Sequence, residues 1–307
     1  MAGAFTHFCI CYEAINRQSR ELPVPLKRYL NHHVEFLLLG AASPDLPYLS
    51  IQGGVNWADL MHYENTNGIV IHGYEELQHE WSVVEQQNEN EVRLAWLFGY
   101  ISHLIADATI HPIVQAIVGD YEHHKPQHRE CEMTQDSMIF LRQRDQEIQD
   151  AESIALIANC DKQPLFDETM EFWKRQAQRA YPAQPESANP SLWYATYTTA
   201  IDLAQGDIPD AFRHVGKEMG IIYRRSSEIP PDLLERYFRH VRLPASTKMC
   251  DFENFGFLYA VSNVRKVWCR LFEGLRNWDV VDVAKCIKNW NLDTGVDLAT
   301  GEMTFWE

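Results

Sequence analysis

The stretch LAWLFGYISHLIADATIHP, residues 94–112, decides the fold. Continued to Val118, it is apolar enough to suggest a membrane span. It also carries His103, Asp107 and His111, and an ionised Asp at mid-bilayer is costly. The stretch therefore reads as a helix buried inside protein, and no transmembrane segment is expected. Positions i and i+4 on a helix lie about 40° apart, so His103 and Asp107 share one face. An unpaired buried Asp is expensive, and a bound cation removes that cost. The alternative is a buried Asp–His hydrogen bond. Pro112 disfavours α geometry at His111, so His111 is expected at the helix end, turned away and serving a second ion.

Outward from this stretch, helix-period apolar patterns recur at 5–18, 25–39, 91–110, 128–148, 164–180, 190–206, 209–225, 230–242, 253–275 and 279–290. Gly40 suits the end of the second. No turn dipeptide joins alternating apolar runs, so a large sheet is not expected. The fold class is all-α. Residues 41–90 hold several Pro and Gly, and read as loop with short helices. The run AYPAQPESANP, 180–190, is the candidate linker. It divides a metal-binding helical domain, 1–180, from a C-terminal helical region, 181–307, expected to pack onto the first as one unit.

The 307 residues carry 27 Lys+Arg against 43 Asp+Glu, a net charge of −16. That disfavours a protein held on nucleic acid or anionic lipid by charge alone. It leaves open an enzyme that grips one phosphate through a metal. Seven Cys without a CxxC pair suggest a reducing compartment, and the N-terminus shows no basic leader before an apolar core. A cytoplasmic location is expected.

Histidine is unevenly spread. Eleven of 13 lie in the first 128 residues, where an even spread would put about five, so His-dependent chemistry belongs there. A second i, i+4 pair, His128 and Glu132, opens the next helix, and Asp136 continues its face one turn on as a supporting residue. Asp45 lies in the rigid turn GAASPDLPY, where an Asx turn or cap is the alternative. His62 lies in WADLMHYE among apolar side chains, where a core His bonded to a carbonyl is the alternative. His7 lies in AFTHF. Removal of Met1 would free the α-amine of Ala2 five residues earlier, and such an amine can ligate zinc once deprotonated.

His nitrogens and carboxylates without thiolates suit a hydrolytic zinc site. Two or three closely spaced ions can bind a phosphodiester and activate a water for attack on phosphorus. No GxSxG, P-loop, HExxH or adjacent His-Asp doublet competes.

In order, His7, Asp45 in SPD, His62 in WADLMHY, His103, Asp107 and His111 in HxxxDxxxH, and His128 and Glu132 in HxxxE resemble the zinc-dependent phospholipase C family. That family shares a helical-bundle fold with single-strand-specific zinc nucleases. The resemblance covers roughly residues 2–150 and implies up to three Zn2+ per chain. Asp45, His62, His103 and Asp107 would hold one. Asp107 would also bridge to another held by His7 and the amine and carbonyl of the N-terminus at Ala2. His111, His128 and Glu132 would hold the remaining one. By analogy Asp45 would orient or deprotonate the attacking water. The implied function is a metal-dependent phosphodiester hydrolase acting on a small or phospholipid-like substrate. A single-strand nuclease and a non-catalytic metal-binding protein are the alternatives; the net charge counts against nucleic acid. The aromatic clusters after residue 181 read as core packing that could cover the site.

Overall fold

The computed structural model describes residues 3–16, 21–50, 54–82, 87–150, 153–205, 223–244, 246–277 and 281–306. The architecture is all-α, and the only strands among these residues form two two-stranded antiparallel hairpins.

At its centre runs α6, Gln87–Val118, buried on every side from Leu94 to Val114. A helix that is apolar all round belongs inside a protein or a membrane. Here 83% of its most apolar window is packed against other parts of the chain. Around it stand α1 (Ala4–Ala14), α2 (Val24–His32), α3 (Val34–Ala42), α7 (Tyr121–Arg144) and the long α12 (Leu258–Asn277). The others introduced here are α4 (Gly54–Tyr63), α5 (Gly68–Glu80), α8 (Ser153–Ala158), α9 (Phe166–Ala180), α10 (Pro190–Gln205) and the short α11 (Pro231–Leu234). One apolar core cluster runs from Phe5 to Leu292. The indole of Trp268 on α12 donates to the Phe98 carbonyl of α6, 3.0 Å away.

Helices α3 and α6 meet backbone to backbone. A Cβ added at Gly40 would stand 2.0 Å from the Trp96 carbonyl, and one at Gly99 would stand 2.0 Å from the Leu37 carbonyl. Only glycine lets two helix backbones approach this far. The contact fixes α3, and with it the turn that carries Asp45, against the helix that carries His103 and Asp107.

Several expectations are corrected. Gly40 does not end its helix; its role is this contact, and α3 continues to Ala42. The expected 25–39 helix breaks instead at His33, whose φ of −119° and ψ of 42° are not helical. Residues 41–90 contain the well-formed α4 and α5, because Gly54 and Gly68 lie at helix starts and not in turns. Pro112 does not end α6. Its neighbours Ile110, Ile113 and Val114 are all core residues, so packing overrides the local preference and His111 stays on the helix. The 230–242 pattern yields only α11, a single π turn at Glu235–Arg239 and the start of a hairpin. That at 279–290 yields, among the described residues, only the helical turn Val283–Cys286. Most of the 209–225 pattern lies outside the described residues. Within 180–190, buried Tyr181 donates to the carbonyls of Leu60 and Asn65, while most of 182–187 is exposed.

Candidate metal centre

Asp107 stands at the middle of a polar cluster in the interior. Its Oδ1 lies 3.2 Å from His7 Nε2 and 3.4 Å from His111 Nε2, and its Oδ2 lies 3.2 Å from His103 Nε2. The i, i+4 spacing supplies two of these neighbours from α6 itself. The third comes from α1, where the His7 ring stacks on that of His103, centroids 4.1 Å apart. Asp45 completes a second group, with Oδ1 3.2 Å from His62 Nε2 and 4.0 Å from His103 Nε2. His111 Nε2 reaches Glu132 Oε1 at 3.9 Å.

Each element is anchored locally. Asp45 follows α3, where the Ser43 hydroxyl donates to the Leu39 carbonyl and accepts from the Trp96 indole. The short 3₁₀ turn Leu46–Leu49 comes straight after it. His62 sits near the end of α4. The α1 helix has no capping side chain of its own at Gly3. Asp136 of α7 supplies the cap from outside, accepting from the backbone N–H of Phe5 and Thr6 at 3.2 and 2.8 Å, and also from the Tyr223 hydroxyl. Asp136 thus positions the helix that carries His7.

The imidazoles share one orientation. His62, His103 and His111 place Nδ1 within 2.7, 2.8 and 2.7 Å of the carbonyls of Ala58, Ala41 and Leu292. A carbonyl only accepts, so Nδ1 carries the hydrogen and the Nε2 lone pair faces the carboxylates. His128 is the reverse case. Its Nε2 donates to the Gly119 carbonyl at 2.7 Å, which leaves the lone pair on Nδ1. His128 is buried one turn before Glu132 on α7.

Among the described residues the Nε2 atoms of His7, His62, His103 and His111, and Asp45 Oδ1, are buried without an aligned hydrogen bond. At His62 and His103 lone pair thus faces lone pair at 3.2 Å, an arrangement that a cation between them satisfies. Two tight groups meet the donor geometry of a metal site: His7, His103 and Asp107, and Asp45, His62 and His103. The residues present fit zinc.

Electrostatics agree. Burial disfavours the charge on Asp107, but His111, His103 and His7 outweigh it and hold the carboxyl well below its ordinary range. Asp45 is lowered likewise, burial being outweighed by His103 and His62. Burial pushes His111 down to about 4 and Glu132 up to about 7. His7 is raised, since the nearby Asp107 overcomes its burial.

A family model described as zinc dependent phospholipase C matches residues 6–186. The chain belongs to the zinc-dependent phospholipase C family. It is accordingly a phospholipase C-like hydrolase of a zinc-dependent type. No curated protein and no solved structure gives a match. The family match spans His7 through Glu132 and stops well before the C-terminal segment.

Of the residues singled out by sequence, His7, Asp45, His62, His103, Asp107, His111 and Glu132 come together, and His128 stands beside Glu132. Ala2 lies outside the described residues. His111 has its expected neighbour Glu132 but is not turned away: it also faces Asp107, because α6 runs on through Pro112. Sequence reasoning missed the C-terminal segment, which brings Leu292 and Asp293 against His111. It also passed over Tyr48, which with Tyr63 flanks His62, ring centroids 5.3 and 6.1 Å away. Both tyrosines stand inside the motifs quoted for Asp45 and His62, and that adjacency was the available signal.

Proposed function

We propose that this chain hydrolyses phosphodiesters of a phospholipid-like kind at a site built for up to three zinc ions. Asp45, His62, His103 and Asp107 would hold one ion. His7 and Asp107, with the N-terminal amine, would hold a second. His111, His128 and Glu132 would hold a third. The observation that carries this reading is the orientation shared by His62, His103 and His111: buried Nε2 atoms, each backed by a carbonyl on Nδ1, aimed at carboxylates that give them no aligned hydrogen bond. A buried His paired with a carboxylate as a simple core contact would instead point an N–H at it.

Bound zinc would neutralise phosphate oxygens and activate a water for attack on phosphorus. Asp107 supplies a carboxylate that two ions can share, since its oxygens face three imidazoles on separate sides. Asp45 is the most exposed carboxylate of the set, its side chain 21% accessible against 0% for Asp107 and 11% for Glu132. It is therefore the group a substrate can reach. Its Oδ1 is directed at His62, which leaves Oδ2 to orient a water and accept its proton. The enclosed His7, His103 and Asp107 keep bulk water from the inner part of the site.

The test is turnover of a chromogenic phosphodiester, with zinc per chain measured on the same sample. Expected are two to three zinc ions, activity lost on chelation and restored by zinc, and faster cleavage of phosphocholine esters than of single-stranded nucleic acid. Full zinc occupancy with no turnover of any phosphodiester would refute the catalytic reading. Faster cleavage of nucleic acid would reassign the substrate.

A further inference from the structure

The segment Trp290–Trp306 lies outside the family match, yet it touches the polar cluster on two sides. The Leu292 N–H donates to the backbone carbonyl of His62 at 2.9 Å, and the Leu292 carbonyl accepts from His111 Nδ1 at 2.7 Å. One residue of the C-terminal segment thus ties the end of α4 to the middle of α6. The next residue, Asp293, accepts from the Tyr63 hydroxyl through Oδ2 at 3.0 Å and places Oδ1 3.8 Å from His111 Nδ1.

The segment is a hairpin of its own, with Trp290–Asn291 paired antiparallel to Val296–Asp297. Its tip lies directly on α6. Gly295 has a φ of +66°, and a Cβ there would stand 2.5 Å from the Ala108 carbonyl and 2.7 Å from Pro112 Cγ. Further on, the Trp306 indole donates to the Thr109 carbonyl at 2.8 Å. The hairpin is therefore seated over the turns of α6 that present Asp107 and His111.

The imidazoles of His103 and His62 take their Nδ1 acceptors elsewhere. His103 uses the Ala41 carbonyl of α3, and His62 uses the Ala58 carbonyl of its own helix. Only His111 takes its Nδ1 acceptor from beyond the family match.

We propose that the C-terminal hairpin is a working part of the metal centre: the Leu292 carbonyl fixes the His111 tautomer that offers Nε2 as a ligand, and Asp293 strengthens that ligand. This inference rests on the reading of His111, His128 and Glu132 as the holders of one zinc. A carboxylate beside the far nitrogen of a ligating imidazole raises its basicity, and such outer partners affect metal affinity roughly 10–100-fold. Leu292 and Asp293 are thus positioning residues for the third ion through His111, and Leu292 also holds the His62 carbonyl. Asp293 acts through His111, so its replacement should leave the ion assigned to Asp45, His62 and His103 in place.

The experiment uses the full chain and two variants, Asp293→Asn and Gly295→Ala. Zinc per chain is measured by mass spectrometry across a series of buffered free-zinc concentrations. The His111 tautomer is read in the metal-free protein from long-range proton–nitrogen correlations of the imidazoles. For Asp293→Asn, one zinc should require roughly 10–100-fold more free zinc, with the other ions unchanged and the metal-free melting temperature kept. Gly295→Ala lifts the hairpin from α6, so the Nδ1–H signature of His111 should be lost along with one zinc. Retention of every ion at wild-type free zinc in both variants would overturn the proposal. Loss of all ions together would reduce the hairpin to a general structural cover and overturn it equally. If Gly295→Ala does not fold, the Asp293→Asn titration decides. If the wild type takes up no zinc, the three-ion reading fails. The His111 tautomer, compared between wild type and Trp306→Phe, then still decides whether the hairpin orients that ring.

Discussion

Replacing Gly99 with alanine should cost this protein both stability and metal, although helix propensity predicts a gain. Within a helix, Ala is favoured over Gly by about 1 kcal/mol. Against that stands the contact with α3. A Cβ at position 99 would lie 2.0 Å from the Leu37 carbonyl oxygen and 2.8 Å from the Ala41 nitrogen. Both are backbone atoms of a helix and cannot rotate away. Restoring van der Waals contact requires the two helices to part by more than about 1 Å. Overpacking of this kind costs about 1–3 kcal/mol, occasionally more, and two rigid backbone contacts put Gly99 at the upper end. With the propensity gain deducted, a net loss of about 2 kcal/mol follows, or a fall of about 3 °C in melting temperature for a chain of this size. Calorimetry on chelated protein measures this free of any metal contribution. The same separation would draw the Ala41 carbonyl away from His103 Nδ1, now 2.8 Å apart, and free that ring to change tautomer. Zinc content should therefore fall in the variant. A Gly99→Ala protein that melts at or above the wild-type temperature would refute both the tightness of the contact and the account of how His103 is held.

Three further outcomes are expected. Asp107→Asn should lose zinc and phosphodiesterase activity together, because one charge serves three imidazole neighbours. His79→Ala, at an exposed position outside the cluster, should change neither; similar small effects in the two variants would sink the site assignment. Asp136→Asn leaves one acceptor oxygen where two backbone N–H groups of α1 and the Tyr223 hydroxyl now bond. It should cost about 1–3 kcal/mol in denaturant unfolding and weaken the ion assigned to His7, whereas unchanged stability would remove Asp136 as the cap of that helix. Burial pushes the Glu132 carboxyl up to about 7, so zinc binding near neutral pH must expel a proton from it. Titration calorimetry in buffers of different ionisation enthalpy should show proton release that grows from pH 8 to pH 6. Glu132→Gln should lower that release by up to one proton, and no change would argue that Glu132 is not a ligand.

What the sequence made legible follows the range over which each contact is determined. His103 and Asp107 were placed on one face by helix geometry, and they stand 3.2 Å apart; nothing beyond the helix itself was needed. The same local rule misled at Pro112, because the packing of α6 against its neighbours outweighs one residue's preference and keeps His111 on the helix. The stacking of His7 on His103 spans two helices and depends on how α1 seats against α6, which no spacing within either helix encodes. Residues Ser43, Trp96, Gly40 and Gly99 bring Asp45 to the same place, yet each reads in isolation as an ordinary core, cap or terminator residue. The C-terminal hairpin was the least legible of all, for a physical reason. Its contribution at Leu292 is a carbonyl oxygen, which every residue possesses, so the sequence carries no mark of it. The requirement survives only at Gly295, where the backbone sits too close to Ala108 and Pro112 for any side chain. A lone glycine in a polar tail becomes informative only once the helix beneath it is known.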